Sequence, residues 1–120
     1  MKADSSFWHE VAHLAASSSI VIDRPKGSAH PRYPEVIYPL DYGYIENTRA
    51  NDGSGIDAWL GTHSREDKTL TGILCTFDTL KGDAEIKLLI GCTDDDVRII
   101  RDFHSDMYTL YISNPMLGTI

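Results

Sequence analysis

Val36-Ile-Tyr-Pro-Leu-Asp-Tyr-Gly-Tyr-Ile-Glu-Asn-Thr48 and, three residues on, Asn51-Asp-Gly-Ser-Gly-Ile-Asp-Ala-Trp-Leu60 form the stretch on which the reading of this chain turns. Read residue by residue, it is a pair of short acidic turns, the second leading into an apolar strand. Asp52 and Asp57 are five positions apart with Gly53 and Gly55 between them. Glycine lets a loop fold tightly enough for two carboxylates to converge. Oxygen ligands of this kind suit Mg²⁺, a hard cation that keeps several of its waters. Downstream, Asp78, Asp83 and Glu85 stand where a neighbouring hairpin would bring them to the same place. Tyr38, Tyr42, Arg24, Arg32 and Lys87 supply hydrogen bonds and positive charge suited to phosphate oxygens. The plain alternative is a set of solvated turns, and spacing alone leaves both open.

Outward from this centre, residues 5–18 read as an amphipathic helix, with Phe7, Trp8, Val11, Leu14 and Ala15 on one side. Strands are expected over 19–23, 56–61, 69–77, 86–92 and 108–112, where β-branched and apolar residues cluster between turn signals. Pro25, Gly27, Pro31, Pro34 and Pro39 make the segment between the first two of these irregular, with at most short edge strands. Asp94-Asp95-Asp96 before Val97, Ile99, Ile100 and Phe103 marks a helix start, capped by Thr93 or Asp94. That acidic run reads as a capped, solvent-facing turn rather than a metal site. From 113 the chain is expected to fray. The pattern gives one domain over 1–120, mainly β with flanking helices (α+β), as a barrel or twisted sheet.

Composition narrows the function. With 42% hydrophobic and 24% charged residues, the chain can bury an ordinary core. A net charge of -7 argues against nucleic acid or an anionic membrane as partner. No segment approaches the ~20 apolar residues of a membrane helix. No long apolar run follows Lys2, so a cytoplasmic protein without a secretory leader is expected. Cys75 and Cys92 sit among apolar residues and read as free, buried thiols. His9-Glu10-Val11-Ala12-His13 matches the two-histidine zinc-peptidase pattern. Those side chains, however, fall on the helix face opposite the apolar one, and no third ligand follows at a known spacing.

The motif Tyr38-Pro39-x-x-Tyr42-Gly43-Tyr44-Ile45, followed by Asp52-Gly53-x-x-x-Asp57, is similar to the signature of the family I soluble inorganic pyrophosphatases. Ile22-Asp23-Arg24-Pro25-x-Gly27-Ser28 before His30-Pro31 resembles a shortened bacterial branch of that family. The resemblance spans about 20–103. It implies a compact, twisted five-stranded β-barrel and Mg²⁺-dependent hydrolysis of inorganic pyrophosphate, with Mn²⁺ as a substitute. It also implies a homo-oligomer. By the same resemblance, Asp52, Asp57 and Asp83 ligate metal, with Asp23 and either Asp78 or Glu85 assisting. Arg32, Tyr38 and Lys87 hold phosphate, and Tyr42 borders the nucleophilic water. Ser54 stands where the family has the acid that orients and deprotonates that water, and Gly55 where it has Pro. A hairpin carrying a phosphate-binding Arg is absent between Tyr33 and Val36. The family's late Tyr-Lys pair has no clear match, with His104 or Tyr108 as stand-ins. The expectation is therefore a slow pyrophosphate hydrolase. The alternatives are a domain that binds a diphosphate without cleaving it, or one retuned to an organic diphosphate.

Overall fold

A computed structural model describes residues 4–117. Helix α1 (Asp4–Ser17) leads into strand β1 (Ile20–Arg24), and an irregular segment connects it to β2 (Asp41–Ile45). Strands β3 (Asp57–Leu60), β4 (Leu70–Asp78) and β5 (Asp83–Ile90) follow, then helix α2 (Asp94–Phe103) and strand β6 (Tyr108–Ser113). The strands form one six-stranded sheet in the order β1-β2-β3-β5-β4-β6. Only β3 and β5 run parallel; every other pair is antiparallel.

The expected five-stranded barrel is corrected to this open, six-stranded sheet, with β1 and β6 as its two edges. The reason lies in how the apolar residues alternate. Ala58, Ile73 and Leu88 point to one face and pack with Ile45 against Trp8 and Ala15 of α1. Their neighbours Trp59, Leu74 and Leu89 point to the other and pack with Tyr38 against Val97 and Ile100 of α2. A closed barrel would turn one of these faces inward; here each face has its own helix, so the sheet stays open.

Strand β2 was hidden by the prolines before it and by Gly43 within it. Gly43 is obligatory here, because a Cβ would collide with the backbone carbonyl of Val21 on β1. That close approach accompanies the irregular register between Ile22 and Arg24. The short edge pairing expected in the proline-rich segment is the single bridge Ala29–Ile37.

Helix α2 begins as its sequence dictates. The Thr93 hydroxyl accepts the Asp96 N–H at 3.0 Å, and the Asp96 carboxylate accepts the Thr93 N–H at 2.9 Å, a reciprocal cap. Asp96 is not solvent-facing, however. It is buried and also accepts the Thr62 N–H and hydroxyl, both at 2.8 Å. Burial alone would raise its pKa, but these bonds hold the carboxyl below its ordinary value.

The chain does not fray at 113. Ser113 pairs with Gly72, and buried Asn114 donates its side-chain amide to the Leu70 carbonyl at 2.8 Å. The expected fraying beyond 117 lies outside the described residues. Cys75 and Cys92 are free thiols, partly rather than fully buried, and desolvation, with the Asp96 charge behind it, pushes Cys92 up to about 12. Among the described residues no helix is long and apolar enough to cross a membrane.

Candidate functional site

The site lies where β2, β3 and β5 meet. Antiparallel register sets Tyr42 opposite Trp59 on β3. Parallel register sets Ala58 beside Leu88 on β5, one residue past Lys87. The three strands thereby deliver Tyr42, Asp57 and Lys87 to one spot. The Lys87 ammonium donates to the Tyr42 hydroxyl at 2.8 Å, to Asp57 at 3.1 Å and, more weakly, to Glu85 at 3.4 Å.

Only 7% of the Lys87 side chain is exposed. A buried ammonium demands such partners, since an unpaired charge in this position costs several kcal/mol. Burial first, then the charges of Asp57 and Glu85, raise the Tyr42 hydroxyl well above its ordinary value. It stays a neutral phenol at any physiological pH. Glu85 is also raised, by burial foremost and by Asp57, against the opposing pull of Lys87.

Aromatic packing fixes Tyr42 from behind. Its ring centroid lies 4.6 Å from that of Trp59 and 5.7 Å from that of Tyr38. The Trp59 indole N–H donates to His104 Nε2 at 3.2 Å. That bond assigns Nε2 as the unprotonated nitrogen of a neutral imidazole. Burial, and then the positive charge of Lys87, press His104 down to about 4.

In front of Asp57 opens a polar cleft of about 480 Å³. Asp23, Tyr38, Tyr42, Asp52, Ser54 and Asp57 all line it, as do Arg24, Tyr44 and Gly55. The 46–56 loop is folded by its own side chains. Asp52 accepts the Ser54 N–H at 2.9 Å, and Gly53 takes a positive φ of 87°. A Cβ on Gly55 would come within 2.6 Å of the Tyr44 ring, so only glycine lets the loop lie this close to β2.

The structure brings most of the expected residues together, though not all of them. Lys87, expected to hold phosphate, is instead enclosed by Tyr42, Asp57 and Glu85 and lines neither the cleft nor the groove beside it. Asp83 faces a neighbouring groove that Asp52, Asp57 and Glu85 also line. Asp78 is elsewhere: its carboxylate accepts the N–H groups of Leu80 and Lys81 and caps the β4–β5 turn. Of the two alternatives for that hairpin, the structure brings Glu85 to Asp57 through Lys87. Arg32 is exposed in the proline-rich segment, its N–H donating to His30, and does not line the cleft. Arg24 does. Of the two stand-ins, His104 backs the site through Trp59, while Tyr108 is exposed on the edge strand β6. Arg49, beside the groove, carries no sequence signal that would have found it. His9, Glu10 and His13 lie on the exposed face of α1.

The chain is 25% identical over 122 aligned positions to the inorganic pyrophosphatase of Picrophilus torridus, covering 81% of this chain and 67% of that protein. No family model matches the chain. The likeness supports a distant relationship to inorganic pyrophosphatase.

Proposed function

We propose that this protein hydrolyses inorganic pyrophosphate to phosphate, slowly and with Mg²⁺. The observation that carries the reading is Asp57, held by Lys87 at the floor of a cleft that also presents Asp23 and Asp52. The distant pyrophosphatase relative supports it.

The lining suits a hard cation by its chemistry, being carboxylate and hydroxyl oxygens without thiolate or imidazole. Among the described residues no three His, Cys, Asp or Glu side chains converge to hold an ion by themselves. A cation that keeps its waters and binds through one or two carboxylates plus phosphate oxygens needs no such cage. Asp52 and Asp57 would hold Mg²⁺, or Mn²⁺ in its place, with Asp23 across the cleft and Asp83 and Glu85 on the groove side. Bound there, the ion would acidify a water and screen phosphate charge.

The chain's own groups do the rest. Lys87 neutralises and orients Asp57. Tyr42, kept neutral, offers its hydroxyl at the cleft wall, and Tyr38 and Arg24 face the same space for phosphate oxygens. The Ser54 hydroxyl can hydrogen-bond a water in the cleft but cannot deprotonate it at neutral pH. Lack of a positioned base costs about 10²–10⁴-fold in rate, hence a slow enzyme.

The test is phosphate release from pyrophosphate by wild type and Asp57→Asn. Release by wild type alone is expected; no release with Mg²⁺, Mn²⁺ or Co²⁺ would sink the proposal. Ser54 also favours a second reading, a domain that binds a diphosphate without turnover. Saturable calorimetric binding of pyrophosphate without release would select it.

A further inference from the structure

Strand β5 outruns its parallel partner. β3 pairs with it only over Leu88–Ile90, so among the described residues Asp83–Lys87 has no strand partner on that side. The space left beside this open edge is a groove of about 670 Å³, roofed by α1 and bordered by the 46–56 loop. Its walls are mainly apolar, with Val11 and Leu14 from α1 facing Ile56, Cys75 and Ile86, and Asp83 and Glu85 add carboxylates to the lining. Ile86 is 50% exposed and Phe7, at the helix rim, 42%. The volume falls within the ~300–1,000 Å³ typical of small-molecule sites.

Two residues join the groove to the polar cleft: Asp52 and Asp57 line both. Arg49 stands exposed at the groove's border. Inorganic pyrophosphate has no apolar atom and gains nothing from such a space. We infer that the site accepts an organic diphosphate, with its two phosphates in the cleft and an apolar alkyl or aryl group in the groove beneath α1. The inference rests on the diphosphate reading of the cleft. Arg49 would meet the phosphate that bears the organic group. In hydrolysis, water adds to the terminal phosphorus and the bridging P–O bond breaks. Its electron pair leaves on the organic monophosphate, and a proton passes to solvent.

The experiment is calorimetric titration of the full chain, with Mg²⁺, by pyrophosphate and by ethyl, hexyl and decyl diphosphate. Phosphate release from each is measured in parallel. Affinity should rise about fourfold per methylene until the groove is filled. Ile86→Asp, at a half-exposed position, should flatten that rise, and so should Leu14→Trp, which fills the groove. Affinity independent of chain length, with pyrophosphate still cleaved, overturns the inference and leaves the pyrophosphatase reading standing. A chain-length rise without phosphate release supports the inference and removes the hydrolytic reading. A rise that neither variant alters overturns it, because the tail then binds elsewhere. A flat profile in a dimer that Ile86→Asp dissociates also overturns it, making the groove a contact between two copies of the chain.

Discussion

Lys87 and Asp57, thirty residues apart, are joined 3.1 Å apart by the parallel pairing of β3 and β5, with the lysine almost wholly enclosed. Lys87→Met removes the charge but keeps the volume. It leaves Asp57 and Glu85 facing each other without a cation, and because both carboxylates are partly exposed it should cost about 1–3 kcal/mol. Urea unfolding at neutral pH checks this, and a loss below about 1 kcal/mol would mean the pair contributes little. Hydrolysis should fall with it, since Asp57 loses its anchor.

Ser54→Asp should raise pyrophosphate turnover by about 10²-fold or more, by supplying a carboxylate that can take the proton of the attacking water. The backbone N–H of residue 54 still donates to Asp52, so the loop should keep its shape. Steady-state phosphate release compares the two proteins. An unchanged rate would place the limit elsewhere than in the base.

His104 gives the protein an acid-sensitive core. Its folded value, about 4, lies below the ordinary 6.5, so folding favours the neutral ring. Its share of stability is complete above about pH 6.5, declines as the unfolded chain takes up the proton first, and levels off below about pH 4. The whole span amounts to about 3 kcal/mol. His104→Gln keeps an acceptor for the Trp59 N–H and should remove this slope. Thermal or urea unfolding at pH 7 and pH 4.5, compared between the two proteins, reads it out.

Neighbouring acids in α2 should behave very differently. Asp96→Ala strands the N–H groups of Thr62 and Thr93 and should cost about 2–3 kcal/mol. Among the described residues Asp95 pairs only with Arg98, in open solvent, and Asp95→Ala should stay within about 0.5 kcal/mol of wild type. Equal losses in the two variants would contradict the inward role of Asp96.

Much of this was legible in the sequence because the signals were local. The alternating apolar residues of β3, β4 and β5, the Thr93 cap and the spacing of Tyr38, Tyr42, Asp52 and Asp57 each depend on neighbours a few positions away. What sequence reading lost depended on distant partners. Strand β2 exists because Trp59 and the Val21 backbone lie against it, which no local pattern around Gly43 announces. Asp78 and Glu85 look interchangeable until the hairpin turn claims Asp78 and Lys87 claims Glu85. Arg32 and Arg24 are both cations among prolines, and only the path of β1 decides which reaches the cleft. Closure of the sheet turned on whether one helix or two would cover it, a choice that strand patterns leave open.

The buried ammonium at the centre of the site has one more effect. Many proteins with clustered acids depend on a bound ion for their folded state, and a chelator unravels them. Here a covalently attached cation already offsets Asp57 and Glu85. Stripping divalent ions should silence the protein without melting it, leaving a folded reserve that resumes work as soon as the ions return.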